Sequence, residues 1–180
     1  MFSDGPGRFG RFAFTYAHVR KTCKGEKNTM LQIIQDTREQ HPFSFEGYPV
    51  EVKPGTLPTG DYSLDGFEDR IAIERKAAGD LISCMTGERD RFRRELERLR
   101  GYEAAAVVVE TTFDNLINGN HRSKINPEAI EQTIISMICN YRIPFFFAKS
   151  RELAEEFTYN FFRHYVRHAK RRYKAIAGME

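Results

Sequence analysis

The chain contains no tryptophan, and its 180 residues include only three cysteines, Cys23, Cys84 and Cys139. An odd number of widely spaced cysteines argues against a disulfide framework and against a zinc site, and it suits a reducing compartment. No apolar run approaches the roughly 18 residues that a membrane span needs, and the N-terminus lacks the apolar segment of a signal peptide. We therefore expect an intracellular, cytoplasmic protein that does not enter a membrane.

The net charge is small, at +3, but the charges are unevenly distributed. Residues 1–29 hold six Lys and Arg against two acids, and residues 163–174 hold six Lys and Arg and no acid. The residues between these two segments are net acidic, so we expect the basic ends to supply contacts to nucleic-acid phosphates. The alternative is that the basic ends only aid solubility.

One group of residues carries most of the functional information: Gly60-Asp61, Glu74-Arg75-Lys76 and Asp80. The run 70–76 is typical of a β-strand, in which side chains two residues apart point to the same face. Glu74 and Lys76 therefore project side by side, and Asp61 arrives from the preceding strand. Two acids and a lysine on one sheet surface can hold a divalent cation and activate a water, which is the chemistry of phosphodiester cleavage.

The remaining pattern predicts alternating strands and helices. Strands are expected at residues 31–36, 50–53, 104–109 and 144–147, and residues 61–64 should pair with 70–76 as a hairpin across the Asp65-Gly66 turn. Helices are expected from about Asp80, over 90–100, after Asn126-Pro127 and after Ser150, with a polar loop at 115–124. This order implies a layered α/β fold with a mixed sheet.

The spacing G-D-x(n)-E-R-K-x(3)-D resembles the signature of the XPF-type structure-specific endonucleases, which share the ERCC4-like nuclease domain. That family is a branch of the restriction-endonuclease-like superfamily. The D-x-R-E step at 36–39 and the apolar strand that ends at Glu110 also resemble the family. The resemblance implies a three-layer α/β fold with a central mixed β-sheet flanked by helices. It places a nuclease domain at 30–166, between a flexible basic arm (1–29) and a basic tail (167–180).

The resemblance also implies a site for Mg²⁺ or Mn²⁺. Asp61 and Glu74 are the expected ligands, with the backbone carbonyl of Arg75, and Asp36 and Glu39 are the expected further acids. The alternative for Asp36 and Glu39 is an ion-pair cluster that fixes the end of a strand. Lys76 would orient or deprotonate the attacking water, or stabilise charge. We favour charge stabilisation, since an ammonium beside two carboxylates keeps its proton.

Other residues are expected to support the site or bind DNA. The Arg75 side chain should point away from Glu74 and Lys76 and pair with Asp80, or with another acid, to brace the motif. Glu110 either faces the cleft or has a structural role. By resemblance Arg38 would bind a scissile-strand phosphate, and the other predicted DNA contacts are Arg89, Arg91, Arg171 and Arg172. The alternative for Arg89 and Arg91 is that they lie on a solvated face of the charged helix at 90–100, where they form local ion pairs.

The sequence thus predicts a metal-dependent DNA endonuclease that acts on branched or double-stranded DNA, near flaps or forks, in repair or recombination. The alternatives are a Holliday-junction or restriction-like nuclease of the same superfamily, and a non-catalytic DNA-binding or dimerisation module. The aromatic density of residues 157–165 exceeds what one helical stripe buries, which predicts a homodimer through the C-terminal helices.

Overall fold

The computed structural model describes residues 30–119 and 125–179, so the predicted arm at 1–29 and residues 120–124 of the predicted loop lie outside it. Within the described residues, six strands form one sheet in the order β2-β1-β3-β4-β5-β6. The strands are β1 (Leu31–Asp36), β2 (Val50–Gly55), β3 (Tyr62–Leu64), β4 (Ile71–Lys76), β5 (Ala104–Val109) and β6 (Phe145–Phe147). The helices are α1 (Ala78–Met85), α2 (Arg89–Leu99), α3 (Phe113–Asn118), α4 (Pro127–Tyr141) and α5 (Arg151–Ala177).

The sheet is mixed, as the sequence predicts. β3 pairs antiparallel with both β1 and β4, whereas the β1–β2, β4–β5 and β5–β6 pairs are parallel. The hairpin across Asp65-Gly66 is confirmed, because Tyr62 of β3 lies opposite Ile73 of β4. β5 is apolar throughout and lies between two parallel neighbours, which is typical of a strand buried on both faces.

Helices cover both faces of the sheet, which confirms the predicted three layers. On one face, alternate residues of β4 and β5 such as Ala72 and Val107 pack with residues of α1, α2 and α4. On the other face, Ile73 and Val108 pack with residues of α5 and with the segment 43–45. The two-residue period of the strands therefore divides the hydrophobic core into two clusters, one on each side.

Two helix starts are confirmed and two are corrected. The side chains of Asn126 and Ser150 accept backbone N–H groups at the starts of α4 and α5, as predicted. α1 begins at Ala78, two residues before the expected start at about Asp80, so Asp80 lies in its first turn near the cap. The predicted loop is wrong for 115–118, because α3 occupies these residues. Its cap, Thr112, is a signal that sequence reasoning missed.

The last helix is longer than predicted. α5 runs without interruption to Ala177, so the predicted boundary between residues 166 and 167 lies inside it. Residues 170–179 are exposed, because this end of the helix extends beyond the sheet that its first half covers. No helix within residues 30–119 and 125–179 is both long and apolar enough to cross a membrane.

Candidate active site

The site forms where β3 begins and β4 ends. Asp61 directly precedes β3, and its backbone N–H donates to the Ile73 carbonyl at 2.8 Å. Its own carbonyl accepts from the Asp36 N–H at 2.8 Å, which ties it to β1. Gly60 has a φ of +81°, and a Cβ there would lie 3.0 Å from the Ala72 Cβ and 3.1 Å from the Ile73 oxygen. Glycine is therefore required before Asp61, both for its conformation and for the close approach to β4.

Two carboxylates meet at this point with unequal hydrogen bonding. Asp61 Oδ2 accepts the Arg75 N–H at 2.7 Å. Glu74 is only 2% exposed, and its Oε1 accepts from the Lys76 ammonium. Glu74 Oε2 is buried and has no hydrogen-bond partner. An unsatisfied carboxylate oxygen in the interior is costly, and a cation bound to it would remove that cost.

The surroundings of both acids oppose their ionisation. Burial raises the pKa of Asp61 to about 7, against the lowering effects of the Arg75 N–H and the Lys76 charge. Burial, together with the charge of Asp61, raises the pKa of Glu74 well above its ordinary value. A nearby divalent cation would favour the ionised form of each carboxylate, because opposite charge offsets desolvation.

Lys76 projects from the same face of β4 as Glu74, as predicted. Its Nζ also lies 3.6 Å from Glu95 Oε2 on α2 and 5.3 Å from the centre of the Phe92 ring. Burial opposes its charge, but Glu74 and Glu95 together raise the pKa of Lys76 above its ordinary value. The side chain therefore holds its proton and presents a positive charge to the site, which agrees with a role in charge stabilisation.

Sequence reasoning missed Glu95, which it assigned to a solvated face of α2. The helical spacing places Glu95 at the border of the buried stripe, but it does not specify which residue Glu95 meets. Phe92, Leu96 and Leu99 form the buried stripe of α2, and Glu95 lies three residues after Phe92 on its border. Because Phe92 reaches the site at Lys76, the neighbouring Glu95 side chain does so as well.

The donor set fits Mg²⁺ or Mn²⁺. Asp61 and Glu74 offer hard carboxylate oxygens, and Mg²⁺ commonly binds through one or two carboxylates and retained waters. Within residues 30–119 and 125–179, no group of three or more His, Cys, Asp or Glu side chains is arranged to hold a metal ion. The fit therefore rests on two carboxylates and on the unpartnered Glu74 Oε2.

Asp36 is engaged elsewhere, in the ion-pair arrangement that sequence analysis left as the alternative. It is 1% exposed. Its Oδ1 accepts the backbone N–H of Arg38 at 2.8 Å and the Arg38 Nε at 2.7 Å. Its Oδ2 accepts the Arg38 Nη2 and the Leu57 N–H at 2.8 Å each. Although burial opposes ionisation, these bonds hold the pKa of Asp36 below its ordinary value. With four donors on its two oxygens, Asp36 anchors the end of β1 and orients Arg38.

The Arg75 side chain points to the other face of β4 from Glu74 and Lys76, as predicted. Its Nε and Nη2 each lie 2.8 Å from Glu110, one on each carboxylate oxygen, and its Nη1 lies 3.4 Å from Glu39 Oε1. Arg75 therefore pairs with two other acids, while Asp80 is exposed on α1. Glu110 takes the structural role rather than a place in the cleft, and Glu39 is bound to Arg75.

Arg151, the first residue of α5, completes this cluster and was missed by sequence reasoning. It donates to Glu110 Oε1 at 2.8 Å and to the carbonyls of His41 and Pro42 at 2.8 and 2.5 Å. Its guanidinium also lies 5.0 Å from the centre of the Phe43 ring. The start of α5, the segment after β1 and the end of β5 are thus joined behind the active-site strand.

The predicted DNA-binding arginines occupy separate places. Arg38 is exposed at the site, while Arg89 and Arg91 are exposed in the first turn of α2, with Arg91 3.5 Å from Glu88. Arg171 and Arg172 lie on the exposed end of α5. Arg172 is 3.8 Å from Glu103, just before β5, whereas Lys76 is paired with Val109 at the other end of that strand. Arg172 therefore lies near the opposite ends of the strands from the carboxylates, and Arg171 precedes it on the same helix.

Comparison with known proteins gives a consistent assignment. The family model described as the ERCC4 domain matches residues 35–161. A protein of Methanocaldococcus jannaschii described as putative ATP-dependent RNA helicase MJ1505 is 29% identical over 122 residues, which are 68% of this chain but 14% of that protein. The chain thus spans a small part of this curated relative.

Two solved structures share the fold. XPF from Aeropyrum pernix superposes with a TM-score of 0.61 and 22% identity, covering 73% of this chain and 60% of that one. The structure of XPF from Aeropyrum pernix in complex with DNA gives a TM-score of 0.61 and 20% identity, covering 76% of this chain and 66% of that one. The family match extends over most of the chain and includes Asp61, Glu74 and Lys76, so this chain belongs to the ERCC4 domain family.

Proposed function

We propose that this protein is a divalent-metal-dependent DNA endonuclease that hydrolyses phosphodiester bonds near branch points such as flaps and forks. The observation that carries the proposal is the buried, unpartnered Oε2 of Glu74 beside Asp61 and Lys76. A carboxylate desolvated in this way disfavours the metal-free state and is suited to bind a cation. Membership of the ERCC4 domain family and the fold shared with XPF from Aeropyrum pernix support the same function.

Each residue of the site has a separate role in the proposed reaction. Asp61 and Glu74 would hold Mg²⁺ or Mn²⁺, with the backbone carbonyl of Arg75. The bound ion supplies Lewis-acid activation of water and of the phosphoryl group. Lys76, which keeps its proton, stabilises the negative charge that develops on the phosphoryl oxygens. The β1 anchor at Asp36 presents the Arg38 guanidinium to a phosphate of the cleaved strand.

DNA is the proposed substrate because exposed arginines lie at this acidic centre and on the helix that contacts it. Arg38 lies at the site, and the first turn of α2 carries Arg89 and Arg91 near Lys76's partner Glu95 on the same helix. One of the two solved structures with the same fold is XPF from Aeropyrum pernix in complex with DNA, which supports a DNA substrate here as well. Arg171 and Arg172, near the opposite ends of the strands, would contact DNA away from the cut. These contacts would lengthen the segment of duplex that the domain binds.

We further propose that the protein acts as a homodimer. Phe146, Phe157 and Phe161 form a row of rings, with 3.9 Å between the first two centres and 5.8 Å between the last two. We call these three residues the aromatic row. Phe146 is 36% exposed at the sheet edge, and Ile135 and Ile138 are exposed on α4. Exposed apolar side chains of this size favour burial against a partner, and a two-fold contact between identical rows would provide it.

A cleavage assay with matched variants tests the nuclease activity. Flap, fork, four-way-junction and linear DNAs are incubated with the native protein in Mg²⁺, in Mn²⁺ and in EDTA. We expect metal-dependent cleavage that is fastest on flaps or forks. Glu74→Gln and Lys76→Ala should each lower the rate by about 10²–10⁴-fold. Glu97→Gln, which removes one exposed acid from α2, should leave the rate unchanged.

The outcomes separate the candidate functions. Absence of metal-dependent cleavage by the native protein, or native rates in both Glu74→Gln and Lys76→Ala, would overturn the catalytic proposal in favour of a DNA-binding or dimerisation module. Fastest cleavage of the four-way junction would assign a Holliday-junction substrate instead. Equal cleavage of linear duplex would indicate a restriction-like nuclease.

A further inference from the structure

Lys76 is held between two carboxylates that come from different elements. Glu74 lies two residues before it on β4, and its Oε1 accepts from the Lys76 ammonium. Glu95 approaches from α2, with its Oε2 at 3.6 Å from the same nitrogen. The Phe92 ring, one turn before Glu95 on α2, lies 5.3 Å from the nitrogen and closes a third side. Two of the three groups around the ammonium therefore belong to α2.

Glu95 also changes the charge of the site. With Asp61, Glu74 and Glu95 ionised and Lys76 protonated, the four side chains carry a net charge of −2. A single divalent cation neutralises that charge. Without Glu95 the group would carry −1, and the ammonium would have Glu74 as its single carboxylate partner within residues 30–119 and 125–179. Glu95 thus supplies a charge that neither the metal ligands nor the lysine provides.

Metal binding at Glu74 competes with the lysine. A cation on the Glu74 carboxylate draws electron density from both of its oxygens and repels the nearby ammonium. If Glu74 were the single anchor of Lys76, a bound cation would displace the lysine that the reaction needs. A second carboxylate, which α2 supplies at 3.6 Å from the ammonium, removes this conflict.

We propose that Glu95 is a positioning residue that retains the Lys76 ammonium at the active site when the Glu74 carboxylate binds the divalent cation. The inference rests on the proposed function and adds to it a residue of α2 outside the E-R-K motif. It predicts that Glu95 acts through Lys76, so its effect depends on the presence of the lysine side chain.

A double-mutant cycle on Mn²⁺ binding tests this dependence. Free Mn²⁺ is followed by its electron paramagnetic resonance signal during titration of four proteins: the native chain, Glu95→Gln, Lys76→Met and Glu95→Gln/Lys76→Met. In Glu95→Gln the ammonium keeps Glu74 as its remaining carboxylate, so the Mn²⁺ dissociation constant should rise by about 5–20-fold. In the Lys76→Met background the same substitution should have a clearly smaller effect, because only the negative charge of Glu95 is then lost and no ammonium is left to be displaced.

Activity gives an independent readout. At saturating Mn²⁺, Glu95→Gln should lower kcat by about 10-fold and leave the KM for DNA unchanged, because the displaced lysine acts on the reaction rather than on binding. Glu97→Gln, from the exposed face of the same helix, is the matched control and should behave as the native protein in both assays. Equal thermal unfolding midpoints for Glu95→Gln and Glu97→Gln would show that both variants are folded.

Three results would contradict the proposal in different ways. Native Mn²⁺ affinity and kcat in Glu95→Gln would show that the lysine needs no second carboxylate. An equal loss of affinity in both backgrounds would show that Glu95 acts on the metal directly. A native protein that binds no Mn²⁺ would overturn the proposed function itself, and this inference with it.

Discussion

The Arg75 guanidinium donates two hydrogen bonds of 2.8 Å to the Glu110 carboxylate, one from Nε and one from Nη2. Both side chains are nearly buried, and Arg151 donates a third bond to the same carboxylate. The backbone N–H of Arg75 in turn binds Asp61. This pair therefore holds β4 from the face opposite Glu74 and Lys76, and the Arg75 backbone links the same strand to Asp61.

Removal of Glu110 should destabilise the protein. Glu110→Ala leaves two guanidinium groups without their shared carboxylate, one of them in a nearly buried position. We expect the free energy of unfolding to fall by about 3 kcal/mol, because breaking a buried ion pair strands its partner. Urea denaturation measures the change. Glu46→Ala, at an exposed position, should fall within about 0.5 kcal/mol of the native protein, and a Glu110→Ala value in that same range would contradict the prediction.

The pH dependence of stability should reveal the desolvated carboxylates. The pKa of Asp61 is about 7 in the folded protein and about 4 in the unfolded chain, and that of Glu74 is raised in the same direction. Between these values the folded state binds more protons than the unfolded state. The contribution of Asp61 to stability is therefore favourable below about pH 4 and is lost as the pH rises through about 7, and Glu74 acts in the same direction.

Asp61→Asn isolates this effect in metal-free protein. At pH 8 the variant should be more stable than the native protein by about 1–3 kcal/mol, a figure that allows for partial solvent screening of Asp61. The difference should vanish as the pH falls below about 4. Mn²⁺ should stabilise the native protein and not the variant. A native protein that gains stability relative to Asp61→Asn between pH 4 and 7 would refute the assignment.

Gly66, in the hairpin turn, is a matched control for the backbone constraint at Gly60 beside the site. Gly60 and Gly66 have φ values of +81° and +78°, so alanine at either position carries a similar conformational cost of about 1 kcal/mol. An added Cβ at Gly66 meets nothing within 4 Å, whereas at Gly60 it meets Ala72 and Ile73. Gly60→Ala should therefore cost about 1–2 kcal/mol more in urea denaturation and weaken Mn²⁺ binding. Equal costs for the two variants would show that the contact with β4 is unimportant.

The aromatic row should determine the oligomeric state. Phe146→Glu places a charge in the row and should shift the protein from dimer to monomer in sedimentation analysis, because burial of an unpaired charge in an interface is costly. Met30→Glu is the control, since Met30 is 62% exposed directly before β1, and three strands separate β1 from the β6 strand that carries Phe146. A monomeric native protein, or a dimer that persists in Phe146→Glu, would contradict the prediction.

Sequence alone predicts the features that depend on neighbouring residues. The hairpin follows from the Asp65-Gly66 turn, the start of α4 from Asn126 before Pro127, and the common face of Glu74 and Lys76 from the strand period. Each of these signals spans a few residues, so no knowledge of the tertiary structure is needed.

Contacts between distant elements were not predictable in the same way. Glu110 is 35 residues from Arg75 and 41 from Arg151, and nothing in the local pattern of these residues specifies which acid each arginine meets. Glu95 resembles its charged neighbours on α2 until the packing of Phe92 brings it to Lys76. For Asp36, the D-x-R spacing was visible, but the choice between metal and guanidinium depended on the Leu57 N–H, 21 residues away.

The alternating side-chain directions along β4 limit which insertions and deletions this strand can accept. The side chains of three consecutive residues alternate between two faces: Glu74 and Lys76 point toward α2, and Arg75 points toward α5 and Glu110. A one-residue insertion or deletion upstream in the strand would exchange these faces, sending the arginine to the front and the acid and lysine into the packing behind the sheet. Because a strand changes length by whole residues, no intermediate arrangement exists between these two. A one-residue change in the length of this strand therefore disrupts both sides of the sheet at once, whereas a single substitution alters one side only.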